Sequence, residues 1–258
     1  MTIKFSKYEG LGNDFIIIED LRIDAQAAQM LCDRRRGIGA DGVLVVTDGH
    51  AESDYTMVVW NADGTIAEMC GNGLRCVGRY LWTEKEVRAS YRVLTGAGPL
   101  LVHPSEHEVS AEVGGAIDQG EHTIEIHGRR FKGRWISTGN PHFVLFGTWT
   151  QEDHIKYGPL LETHPLFPNG ANISFAHMRP DGEIELAVWE RGCGLTQACG
   201  TGACATVAAG HLMGFIATLS KGQRVHLPGG PLFISGHLTN LVMRGPARHV
   251  YDGVWPVN

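Results

Sequence analysis

Two cysteines stand at the mouths of glycine-rich turns, Cys70-Gly71-Asn72-Gly73 and Cys199-Gly200-Thr201-Gly202, each followed by a helical run. A thiol at a helix start sits against backbone N–H groups without intrahelical partners and the positive end of the helix dipole. Both favour thiolate over thiol and would lower its pKa. Glycines beside the thiol let a ligand approach the backbone closely, and the same N–H groups suit a carboxylate. Two such thiols facing one carbon could take a proton from one side and return one to the other. That is the chemistry of a racemase or epimerase. Deprotonating an amino-acid α-carbon makes an enediolate-like carboxylate, whose charge two helix N-termini would stabilise most in the transition state.

The two turns belong to longer copies. Met57-Val58-Val59-Trp60 precedes the first, and Leu186-Ala187-Val188-Trp189 precedes the second. Cys70 to Cys199 and Trp60 to Trp189 span the same 129 positions, half of the 258 residues. One Cys-Gly-x-Gly alone reads more simply as a buried cysteine capping a helix. Two at half-chain spacing favour a duplicated strand–turn–helix unit whose halves face one cleft. Cys76 and Cys204 fall inside the helices and read as core, and Cys32 and Cys193 read as structural. A thiol-redox pair closing a disulfide stays open as another use of Cys70 and Cys199.

Polar residues could complete a site. Asn13, Asn61, Asn140 and Asn172 each lie in or beside a turn at the edge of an apolar strand. Each is ordinary as a turn residue; together they form a set of amides for carboxylate and ammonium groups. Glu190-Arg191, directly after Trp189, could hold an ammonium and a carboxylate, or be an exposed pair. His142 could be a turn residue or could tune a thiolate.

The elements that must position these residues read as strand-rich. Phe15–Ile18, Val43–Val46, Tyr55–Trp60, Tyr91–Leu94, Leu100–Val102 and Val109–Val113 suggest strands in the first half, with a helix capped by Asp24. Leu74, Val77 and Leu81 place one apolar face on the helix after Cys70. The helix from Ala203 to Leu212 is small and apolar all round, as a buried helix is. Residues 114–122 read as a linker. The expected architecture is α+β: two pseudo-symmetric strand-rich half-domains, each wrapping a central helix. The expected boundaries are 1–115 with 246–258 returning to the first half, and 116–245 for the second.

Composition narrows the class. With an apolar share of 43% and 34 dispersed glycines, the chain has material for a core and many turns. The net charge of −6, with only Arg34-Arg35-Arg36 as a basic run, argues against nucleic-acid binding. No apolar run approaches the ~20 residues of a membrane span, and no secretory leader is visible, so a cytoplasmic protein is expected. Six cysteines without Cys-x-x-Cys spacing and thirteen scattered histidines support neither a disulfide scaffold nor a metal site. The chain carries no nucleotide fingerprint, and no lysine is set for a Schiff base with pyridoxal phosphate. A reaction without cofactor is the simpler account.

The sequence resembles diaminopimelate epimerase along nearly its full length. The matching segments are Gly10-Leu11-Gly12-Asn13-Asp14-Phe15, Arg36-Gly37-Ile38-Gly39-Ala40-Asp41-Gly42, Asn61-Ala62-Asp63-Gly64, Met69 to Cys76, Gly139-Asn140-Pro141-His142, Glu190-Arg191-Gly192 and Ala198 to Ala205. The resemblance implies cofactor-independent interconversion of LL- and meso-diaminopimelate, for lysine and peptidoglycan synthesis, by a homodimer. It implies Cys70 and Cys199 as acid/bases, with Gly71, Asn72, Gly200 and Thr201 holding the reacting carboxylate. Asn13, Asn61, Asn140, Asn172, Glu190 and Arg191 would bind substrate, and His142 and Glu190 would modulate the thiols. Gly42 stands where some members carry Gln. Gly194-Leu195-Thr196 stands where the family usually has Gly-Glu-Thr, which removes an acid from the second turn. A related racemase of another amino acid is the alternative.

Overall fold

A computed structural model describes residues 2–50 and 52–256. The chain divides into two compact units, 1–112 with 244–258, and 113–243.

The first unit contains β1 (Thr2–Gly10), β2 (Asn13–Glu19), α1 (Ala25–Cys32), β3 (Gly42–Asp48), β4 (Tyr55–Asn61), β5 (Ile66–Ala67), α2 (Gly71–Glu84), β6 (Tyr91–Thr95), β7 (Gly98–Pro104) and β8 (Val109–Gly114), whose last two residues fall in the second unit. The second unit follows with β9 (Ile117–Ile126), β10 (Arg129–Ser137), β11 (Pro141–Phe146), α3 (Gln151–Glu162), β12 (Asn172–Met178), β13 (Ile184–Glu190), β14 (Gly194–Leu195), α4 (Gly200–Leu212), β15 (Gln223–Leu227), β16 (Gly230–His237) and most of β17 (Asn240–Gly245). β18 (Arg248–Pro256) belongs to the first unit.

Strand pairing repeats between the units. In the first, β1–β2 is antiparallel, β2–β3 parallel, β3–β4 antiparallel, β4–β6 parallel and β6–β7 antiparallel. In the second, β10–β11, β11–β12, β12–β13, β13–β15 and β15–β16 alternate in the same order. The outer partner of the leading strand differs in origin. β18 lies antiparallel on β1, with Thr2 opposite Pro256, while β9 lies antiparallel on β10. Each parallel step is bridged by a helix, as parallel neighbours require a crossover: α1 spans β2 to β3, and α3 spans β11 to β12.

Each unit wraps its sheet around one helix, the expected α+β architecture. Leu74, Val77 and Leu81 of α2 are buried among Tyr8, Phe15, Leu44, Val59, Tyr91 and Val102. At ~25 cal/mol per Å² of apolar surface, one fully buried leucine contributes about 2 kcal/mol before entropy is deducted. α4 is buried from Ala203 through Gly210, and its small residues let the strands close on it from all sides. α1 begins where Asp24 accepts from the Ala27 N–H at 2.8 Å. α3 opens with a capping box between Thr150 and Asp153.

One sequence expectation needs correction. Residues 117–122 are not linker: they form the first part of β9 and pair with β10, from Asp118 opposite Ile136 to His122 opposite Gly133, across a register shift between Arg134 and Ile136. This stretch is polar because it is largely exposed, and only Ile124 and Ile126, near the strand end, enter the core. Cys193, read as structural, lies exposed in the turn between β13 and β14.

Candidate active site

In the first unit the site residues gather at strand ends around the start of α2. Cys70 is the N-cap of α2, extended at φ −137°, and its Sγ accepts from the Gly73 N–H at 3.4 Å. Gly73 has a packing reason as well: a Cβ there would lie 3.0 Å from the Leu44 side chain on β3. Gly71 and Asn72 supply the first N–H groups of the helix, the place where backbone favours an anion.

Asn13 follows a two-residue hairpin turn. Leu11 and Gly12 both have positive φ, 59° and 83°, and Gly10 pairs with Asn13 across it. This is the primed turn that strand twist favours. The Asn72 side chain donates to Asn13 Oδ1 at 2.6 Å, so the hairpin and the helix start are joined. Asn61 ends β4 opposite Gly42 and donates its side-chain N–H to Thr65 Oγ1 at 2.9 Å. A Cβ on Gly42 would lie 2.6 Å from the Trp60 carbonyl oxygen. Glycine there is a condition of this strand's packing, and not only the loss of a glutamine contact.

Lys7, Asp14, Arg34 and Asp41 lie behind Asn13. Lys7 Nζ is 2.7 Å from Asp14, and Arg34 bridges Asp14 at 2.6 Å and Asp41 at 2.7 Å. Burial alone would raise the Asp14 pKa, but its bonds to Arg34 and Lys7 outweigh that and hold it at about 2.

The second unit builds a comparable group from equivalent elements. Cys199 is the N-cap of α4 and is 4% exposed. Its Sγ lies 3.5 Å from Thr201 Oγ1. His142 on β11 is fully buried, with Nε2 3.0 Å from Asn140 Oδ1 and 3.1 Å from Thr201 Oγ1. A carbonyl oxygen only accepts, so Nε2 carries the hydrogen and Nδ1 the lone pair. Nδ1 is buried without a hydrogen-bond partner among the described residues. Burial, and after it the charge of Arg191, lowers the His142 pKa to about 3, so the imidazole is neutral at physiological pH. Thr138 donates to the Thr201 carbonyl at 3.3 Å and pins the same turn.

Glu190 and Arg191 leave β13 beside this turn. Glu190 accepts from Thr196 Oγ1 at 2.5 Å. Burial raises its pKa, while hydrogen bonds from Thr196 and Cys199 oppose the rise. The Cys199 thiol is pushed well above its ordinary value, first by burial and then by the nearby Glu190 carboxylate. The expected lowering at a helix start is therefore reversed at Cys199, because desolvation and a like charge exceed the dipole. Leu195 is exposed and pairs with Trp189. The acid beside this thiol is Glu190.

Arg191 is exposed at its head, where it donates to the Asn169 carbonyl at 2.8 Å. Its backbone N–H donates to Asn172 Oδ1 at 2.9 Å, and Asn172 donates to the Pro141 carbonyl at 3.0 Å. The buried Asn172 amide thus brackets two turns of the site. Sequence reasoning missed Glu162, at the end of α3. It accepts from Trp189 Nε1 at 2.7 Å and from the Gly192 N–H at 2.8 Å, fixing both sides of the Glu190-Arg191 pair. Only the indole N–H of Trp189, which needs a partner when buried, hinted at such an acid. No group of three or more histidine, cysteine, aspartate or glutamate side chains suited to a metal occurs among the described residues.

The family model for diaminopimelate epimerase matches residues 5–121 and 134–250. A diaminopimelate epimerase of Microcystis aeruginosa is 37% identical over 100% of both chains. One of Synechococcus elongatus is 38% identical over 98% of both. Among solved structures, a hydroxyproline epimerase from Agrobacterium vitis superposes with a TM-score of 0.75 at 14% identity, covering 98% of this chain and 90% of its own. A predicted epimerase from Pseudomonas aeruginosa gives 0.75 at 13% identity, covering 99% and 100%. These two show a shared fold. The full-length identity to curated relatives goes further: the chain is an isomerase and belongs to the diaminopimelate epimerase family.

Proposed function

We propose that the enzyme interconverts LL- and meso-diaminopimelate, without a cofactor, by a two-base reaction of Cys70 and Cys199. One cysteine, as thiolate, takes the α-hydrogen as a proton. The electron pair left on carbon spreads into the adjacent carboxylate, which the N–H groups of Gly71, Asn72, Gly200 and Thr201 hold. The other cysteine, as thiol, gives its proton to the opposite face. One thiolate and one thiol are thereby exchanged, and the centre is inverted. The observation that carries this reading is the repeated cysteine N-cap, placed on equivalent helices of two units with the same strand pairing. Burial and the nearby Glu190 carboxylate favour the thiol form of Cys199.

Asn13, Asn61, Asn140, Asn172, Glu190 and Arg191 bind the substrate, with Arg191 on a carboxylate at the distal end. Bidentate guanidinium–carboxylate contacts suit that role. His142 and Glu190 set the surroundings of the thiols. The reading extends to a homodimer of cytoplasmic location serving lysine and peptidoglycan synthesis. Family resemblance supports these points. No described helix is long and apolar enough to cross a membrane.

The test is proton exchange. In heavy water the enzyme should place one deuterium at an α-carbon of diaminopimelate while inverting it. Faster racemisation of lysine or histidine than of diaminopimelate would move the substrate to a simple amino acid. Thiols that cycle with a dithiol reductant, without α-exchange, would replace the reading by a redox function.

A further inference from the structure

The amide of Asn13 lies in a chain of hydrogen bonds with a charged group at each end. Arg75, fully buried on α2, donates through Nη2 to Asn72 Oδ1 at 3.0 Å. Asn72 donates through Nδ2 to Asn13 Oδ1 at 2.6 Å, and Asn13 donates through Nδ2 to Asp41 Oδ2 at 2.9 Å. A guanidinium has only donors and an ionised carboxylate only acceptors. The two ends therefore dictate which way both amides face, a choice an isolated amide leaves open. The Asp41 carboxylate also accepts the Asp14 N–H at 3.2 Å and is gripped on its other oxygen by Arg34. The acceptor is thus tied to the hairpin that carries Asn13.

We infer that Asp41 is a positioning residue for substrate binding, acting by holding the Asn13 amide in one orientation. The inference rests on the reading of Asn13 as a substrate contact. The orientation keeps the Asn13 carbonyl on Asn72 and gives one hydrogen of Nδ2 to Asp41. The second hydrogen of that nitrogen then has a fixed direction in which to meet a ligand carboxylate. A site that holds its donors before the ligand arrives avoids the cost of ordering them on binding. Asp41 and Arg34 face solvent in part, with side chains 38% and 57% exposed. Their ion pair is therefore screened and contributes little by itself. What Asp41 provides is an acceptor at a fixed place.

That distinction sets the experiment. Asp41→Asn keeps an acceptor oxygen for Asn13 and loses the ion pair; Asp41→Leu loses both; Arg34→Met loses the ion pairs to Asp41 and Asp14 and keeps the Asp41 carboxylate. Steady-state epimerisation should show KM raised about tenfold in Asp41→Leu, the factor for one well-placed hydrogen bond. Its kcat should stay within about threefold, as expected for loss of ground-state binding. Asp41→Asn and Arg34→Met should both stay near wild-type KM. Equal losses in all three variants would overturn the inference in favour of a structural ion pair, as would a loss in kcat alone. Melting temperatures separate misfolding from mispositioning. If wild type fails to turn over diaminopimelate, the substrate reading falls first. The relay is then judged by NMR of the Asn13 side-chain amide protons. They should be ordered in wild type and Asp41→Asn and averaged in Asp41→Leu, and equal mobility in all three would overturn it.

Discussion

Cys70 and Cys199 cap helices at equivalent places in the two units, yet their surroundings differ in kind. The Cys70 turn rests on polar donors: Asn72 binds Asn13, and Arg75, buried in α2, donates to Asn72. The Cys199 turn rests on a hydroxyl, a neutral imidazole and a carboxylate, and α4 carries Cys204 where α2 carries Arg75. The two turns thus share the backbone device, a cysteine at a helix start, and differ in the groups around it.

The largest expected effect tests whether both turns are needed. Cys70→Ser and Cys199→Ser should each lose a thousandfold or more of epimerisation, roughly the upper range for a general acid or base, read as inversion and deuterium uptake. Inversion at wild-type rate in either variant would end the two-base account. Next comes the charge beside Cys199. Glu190→Gln removes the carboxylate that raises the thiol, so the pH midpoint for Cys199 alkylation should move down, measured in a Cys70→Ala background. Epimerisation should fall at least about tenfold. An unmoved midpoint would mean that burial alone sets this thiol.

A smaller effect concerns His142. Its folded pKa of about 3 lies below the ordinary 6.5, so the unfolded chain binds the proton more readily. Its contribution to stability is full above 6.5 and is lost as pH falls towards 3. His142→Gln should flatten the acid limb of a melting-temperature profile. An unchanged limb would show that other groups control it. The mildest effect belongs to Glu162: Glu162→Gln should raise KM severalfold through a looser Arg191 turn, with kcat nearly kept. A drop in kcat with unchanged KM would place Glu162 in the chemistry instead.

Much of this was legible in the residues. The repeated Trp-to-Cys spacing located both helix starts, and the apolar runs Met57–Trp60 and Leu186–Trp189 before them located β4 and β13. The cap of α1 followed from Asp24, whose carboxylate can accept an N–H. What stayed hidden has physical causes. β9 reads as linker because an outer strand with a wet face needs few apolar residues. α3 has only Tyr157, Gly158 and Leu161 buried and carries Pro159 inside, so its periodicity is faint. The raised Cys199 thiol depends on burial by residues far apart in sequence, which local spacing does not record. Glu162 acts on a tryptophan 27 positions away, and Asp41 sits in a matched motif whose spacing says nothing of an amide's orientation.

The pairing of β1 with β18 has a consequence for synthesis. β18 follows every element of the second unit in the chain, so the first unit waits for its outer strand while the second is made and can fold. At roughly 5–20 residues per second, that wait is on the order of ten seconds. Throughout it the free side of β1 is an open sheet edge, the kind of surface on which chains join wrongly. The polar residues Lys4, Ser6 and Glu9 along β1 lower that risk. For a nascent chain, the vulnerable half is the one made first, and β18 closes it.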